Sequence, residues 1–166
     1  GGEPFLNFDL LLKAVELAHE IGIPSTFVET NSFWCIDDKG TREKLVQLKD
    51  SGLDGMLISV NPFILEQVPF ERTERAIRAS REIFKENVMV YQGIFYHQFK
   101  GLSIKSALSF EEYLQKVGLS GLSFVELLPM GRAAYKLGDL YKKYPAKQFF
   151  KESCRGDLMR DWHVHV

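Results

Sequence analysis

Several polar side chains in this sequence stand at the ends of short, strongly apolar runs. They are Glu3, Glu29-Thr30-Asn31 after Ser25–Val28, Ser59 and Asn61 around the end of Gly55–Val60, Gln92 after Val88–Tyr91, and Glu126 within Ser123–Leu128. Carboxylates, hydroxyls and carboxamides gathered at such points can orient a polar small molecule by hydrogen bonding. The same residues also suit the first positions of solvated loops. Ser59 and Asn61 are two apart, so on a strand their side chains share a face. His163 and His165 have the same spacing in Trp162–Val166, which can serve a metal, but no third ligand accompanies them and a solvated strand face explains them as well. Cys35 and Cys154 are far apart and make neither a CxxC-type metal site nor a disulfide framework. Both read as buried small apolar residues. Trp34 and Phe33 beside Cys35 read as loop packing, and His97 receives no role.

The elements that would position these groups follow from hydrophobic period. Asn7–Gly22 carries Leu10, Leu11, Ala14, Val15, Leu17, Ala18 and Ile21 at helical spacing, with Asn7 as N-cap and Gly22 just past the end. Ser25–Thr30 is β-branched and aromatic and predicts a strand. Thr41–Gly52 predicts a helix, Gly55–Val60 a strand, Phe70–Phe84 a charged helix and Val88–Gln92 a strand. Ile94–Ser106 is irregular. Ser109 and Glu112 form a capping box for a helix to about Val117, and Ser123–Leu128 predicts a fourth strand. Strand starts near positions 24, 56, 88 and 123 are separated by 32, 32 and 35 residues with a helix between each pair, the pattern of successive βα units and a parallel sheet. Their continuously apolar runs predict burial on both faces. Closure as a barrel or as an open doubly wound sheet is undetermined, and in either case ligands bind at the C-terminal strand ends.

A chain of 166 residues with 45% apolar and 26% charged residues has the size and composition of one folded domain. A net charge of -1 predicts no general affinity for nucleic acid or membranes, and no apolar run reaches the length of about 20 residues that a span requires. The cytoplasm is the expected location. The chain opens on Gly1-Gly2-Glu3-Pro4 without Met and closes inside a strand-like run, which predicts a fragment.

Gly1-Gly2-Glu3-Pro4 followed by a helix resembles the glycine-glycine-glutamate motif of the radical S-adenosylmethionine family, found at the end of that family's second barrel strand. Val28-Glu29-Thr30-Asn31 resembles its third strand and Ile58-Ser59-Val60-Asn61 its fourth, with Ser and Asn two apart. Leu128-Pro129-Met130-Gly131-Arg132-Ala133 resembles the segment after its sixth strand. Cys154-Arg155-Gly156-Asp157 resembles, more thinly, the start of a cysteine-rich, SPASM-like extension.

The resemblance implies an α/β fold, a partial (β/α)6 TIM-like barrel of parallel strands truncated on its N-terminal side, over residues 1–145, with residues 146–166 beginning the extension. It implies that Gly1, Gly2, Glu3, Pro4, Asn31, Ser59, Asn61, Gln92, Leu128 and Pro129 belong to the S-adenosylmethionine pocket. The 4Fe-4S cluster ligands, a CxxxCxxC motif, would lie upstream of Gly1, so this part supplies pocket without cluster chemistry. A small-molecule or peptide substrate and an electron donor such as flavodoxin or ferredoxin are implied as partners. Two other readings stay open. One is a lyase or aldolase barrel working with Glu3, Glu29 and Glu126, although the strands lack the Lys that a Schiff-base aldolase needs. The other is a non-catalytic scaffold derived from the family.

Overall fold

The computed structural model describes residues 2–123, 126–129 and 131–149. They fall into two compact units, Glu3–Leu127 and a second composed of Gly1–Gly2 with Leu128–Val166. In the first, a 3-10 turn at Pro4–Asn7 leads into α1 (Phe8–Glu20), followed by β1 (Phe27–Thr30), α2 (Asp38–Asp50), β2 (Gly55–Ser59), α3 (Pro62–Leu65), α4 (Phe70–Phe84), β3 (Val88–Tyr91), α5 (Gly93–Gly101) and α6 (Phe110–Val117). The described part of the second unit holds α7 (Gly131–Leu137), with Ala133 and Leu137 buried, and a 3-10 turn at Ala146–Phe149.

Local chemistry fixes most helix ends. Asn7 Oδ1 accepts from Leu10 N at 3.2 Å to start α1, and Gly22 follows its end at φ +76°. Asp37 Oδ1 accepts from Gly40 N at 2.7 Å, so α2 starts three residues before the position that the apolar pattern predicts. Ser109 and Glu112 form the expected reciprocal capping box of α6. The expected bounds of α4 are met, and its buried Phe70, Thr73, Ile77, Ser80 and Phe84 recur at intervals of three and four, with Ala76 and Ala79 buried beside them. The stretch expected to be irregular contains α5, whose Phe95 and Phe99 pack edge-on against Tyr113, with Phe99 also edge-on to Phe70.

The three strands form a parallel sheet in the order β1-β2-β3, as the βα spacing requires. Val28, Met56 and Val88 stand side by side, as do Thr30, Ile58 and Val90, and this face is the buried one. It is covered from the helical side: α2 packs on α4, and α4 lies against β2 and β3.

Burial on both faces, expected from the apolar runs, does not occur. Phe27 is 51% exposed, Met89 57% and Tyr91 40%, so the second face is open along β1 and β3, while Leu57 and Ser59 of the central β2 are half-buried and buried between them. An apolar run predicts burial only where something covers it, and the helices of this unit cover one face alone. The described part of the predicted fourth strand is a turn, because Glu126 N and Leu127 N both donate to Ser123 O at 3.1 Å. Phe124 and Val125 lie outside the described residues. No helix among the described residues is long and apolar enough to cross a membrane.

Candidate functional site

Two hydrogen-bonded clusters stand at the C-terminal ends of the strands. In the first, the Glu3 carboxylate reaches the end of β1, where Oε1 accepts from Thr30 Oγ1 at 2.7 Å and from Phe5 N at 3.5 Å. Its Oε2 accepts from Asn31 N at 2.8 Å. The buried Thr30 hydroxyl also accepts from Trp34 Nε1 at 2.9 Å and Ser32 N at 3.1 Å, which makes it the hub of the loop after β1. Burial raises the Glu3 pKa above its ordinary 4.5, with hydrogen bonds from Asn31, Thr30 and Phe5 opposing the rise and the Glu29 charge adding to it.

The loop is braced from outside as well. Trp34 stacks on Phe5 with ring centroids 3.8 Å apart and planes 9° apart, the packing role expected for it. Arg72 and Arg75 of α4 donate to the carbonyls of Phe33 at 2.6 Å and Cys35 at 2.7 Å. Cys35 is fully buried, and burial pushes its thiol pKa up to about 12, as befits a core residue.

The second cluster joins β1, β2 and β3. Ser59 Oγ donates to Glu29 Oε1 across the open sheet face. Asn61 Oδ1 accepts from Phe63 N and Ile64 N at 3.0 Å, capping α3, while its Nδ2 donates to Gln92 Oε1 at 2.9 Å. Gln92, held left-handed at φ 61°, donates from Nε2 to the carbonyl of Glu126. The hydrogen bonds thus pair Ser59 with Glu29 and Asn61 with Gln92, while Glu3 and Asn31 are joined at the end of β1.

The remaining expected residues differ in surroundings. Gly2 is exposed, and Pro4 opens the 3-10 turn behind Glu3. Leu128 and Pro129 are exposed and belong to the second unit. Gly1, Cys154, His163 and His165 lie outside the described residues. His97 is exposed on α5, beside Tyr96.

Sequence reasoning left Thr30 and Glu29 out of the expected pocket. The available signal was parity: residues 29, 59 and 91 sit on one sheet face once the register is known, and 30 sits on the other. No group of three or more His, Cys, Asp or Glu side chains able to hold a metal occurs among the described residues. Compared with protein-family models, curated proteins and solved structures, the chain has no match in any of the three.

Proposed function

We propose that this chain is part of the barrel of a radical S-adenosylmethionine enzyme and supplies one wall of its S-adenosylmethionine pocket. The observation that carries the reading is the one-sided sheet: three parallel strands with helices on one face, and an open opposite face whose C-terminal end holds Glu29, Ser59, Asn61 and Gln92. A doubly wound sheet needs helices on both faces, whereas a barrel keeps its helices outside and turns the other face inward. That geometry supports a partial (β/α)6 barrel.

In this reading Glu29 and Ser59 meet the ribose hydroxyls or the ammonium group, and the carboxamides of Asn61 and Gln92 meet the polar end of the methionine moiety. Glu3 works from behind them. Both of its carboxylate oxygens are engaged by Thr30, Asn31 and Phe5, so it fixes the strand-end loop and leaves ligand contact to the second cluster.

A bound iron-sulfur cluster supplies the electron that cleaves the cofactor in this family. The described residues do not fit one: Cys35 is closed off in the core, and no three ligand side chains converge. A Schiff-base aldolase is disfavoured because β1, β2 and β3 contain no Lys.

Calorimetric titration of the chain with S-adenosylmethionine tests the reading. Weak binding is expected, weakened further about fivefold or more by Ser59→Ala or Gln92→Ala, since each removes one hydrogen bond to the ligand. No heat up to millimolar ligand, or binding indifferent to both substitutions, overturns it.

A further inference from the structure

Glu74, Ile77, Arg78 and Arg81 follow one another at helical spacing along one flank of α4. With Glu82, with Tyr96 of α5 and with Lys105 beyond it, they line an open cleft of about 680 Å³, a volume within the range of small-molecule sites. Every wall belongs to the first unit. Because α4 covers the sheet face opposite Glu29 and Ser59, the cleft is separate from the strand-end clusters.

Its charges are not balanced. Arg42 of α2 neutralises Glu82 at 2.5 Å, and Lys105 neutralises Glu74 at 3.1 Å. Arg78, at 2.5 Å from Asp38, shares that one carboxylate with Arg75 at 3.1 Å. Arg81 is exposed and forms no side-chain hydrogen bond or ion pair among the described residues. Lys100 adds a further cation over the Tyr96 ring, 5.5 Å from its centroid. The surplus is local, since from Glu3 to Leu127 the sequence carries 18 Asp and Glu against 13 Lys and Arg. A positive cleft on a unit of negative net charge draws anions that the rest of its surface repels.

We propose that this cleft binds a small organic phosphate monoester. The guanidinium fork of Arg81, uncommitted within the fold, matches two phosphate oxygens at once. The Tyr96 hydroxyl has no hydrogen-bond partner among the described residues and is a further donor. Ile77, buried at the base of the cleft, and the half-buried ring of Tyr96 supply apolar surface for the body of the ester, which a bare anion would leave unfilled. A phosphate dianion answers the surplus from Arg78, Arg81 and Lys100 more fully than a single carboxylate does.

Calorimetric titration with phenyl phosphate, which joins the dianion to a ring, tests the proposal. At low ionic strength a dissociation constant of roughly 1 mM is expected, rising with salt. Arg81→Ala breaks no side-chain bond of the folded protein and should weaken binding about tenfold or more, and Arg81→Lys about threefold, because the charge stays while the fork is lost. Tyr96→Phe keeps the ring and should weaken binding about threefold. Inorganic phosphate should bind about tenfold more weakly than phenyl phosphate. Lys13→Ala removes an exposed charge on α1 and should leave the affinity unchanged. No heat up to about 10 mM ligand, equal losses from Arg81→Ala and Lys13→Ala, or inorganic phosphate bound as tightly as phenyl phosphate each overturns the proposal. These outcomes are independent of whether S-adenosylmethionine binds at the strand ends.

Discussion

The side-chain amide of Asn61 donates to Gln92 Oε1 at 2.9 Å while its own oxygen caps α3, so one side chain closes the turn after β2 and grips the residue that ends β3. The two halves of Asn61 can therefore be separated by mutation. Asn61→Ala removes both the cap and the bridge and should cost about 2 kcal/mol in denaturant unfolding. Asn61→Asp keeps the capping oxygen and loses only the donor to Gln92, so it should cost about half as much. Equal losses would mean that the cap contributes nothing.

Glu3 gives a pH signature. Its folded pKa lies above the ordinary 4.5 because burial disfavours the carboxylate. A carboxyl raised on folding binds its proton more tightly in the native state, so its contribution to stability is full below the unfolded pKa and is lost as pH rises through the folded one. Glu3→Gln removes this titration. The stability of the native protein relative to that variant should grow as pH falls through the window just above 4.5, measured by urea unfolding at stepped pH. A difference that is flat, or that shrinks on acidification, would mean that the hydrogen bonds from Asn31 and Thr30 outweigh burial.

Ser32 is fully buried, adopts φ 69°, and leaves its hydroxyl without a hydrogen-bond partner. Glycine relieves the left-handed strain and removes the orphaned hydroxyl at once. Ser32→Gly should raise stability by up to about 1 kcal/mol, with a corresponding rise in Tm. A fall would show that the hydroxyl holds an internal water in solution.

Much of the frame was legible because it is written locally. The bounds of α4 follow from its three-and-four spacing, the start of α6 from the Ser109–Glu112 box, and the parallel order from the even distance between strands. What escaped was written elsewhere. α5 begins after a left-handed Gln92 with no side-chain cap, and its aromatic residues gain their meaning only against Phe70 and Tyr113. Asp37 announced α2, but the apolar pattern begins only at Thr41 and Leu45. That Asn61 and Gln92 stand at neighbouring strand ends was readable from the apolar runs before them. The grip of Glu3 on Thr30 and Asn31 was not, because a contact across 27 and 28 residues depends on register, which no local run encodes.

The guanidinium groups of Arg72 and Arg75 hold the backbone of the loop after β1 from 39 and 40 positions further along the chain. Growing at about 5–20 residues per second, a nascent polypeptide releases that loop some seconds before its anchors follow it. Phe33, Trp34 and Cys35 are available to chaperones or to wrong partners during this interval. The strand-end loop is thus made early and secured late, and the timing of translation bears on it more than on the capped helices around it.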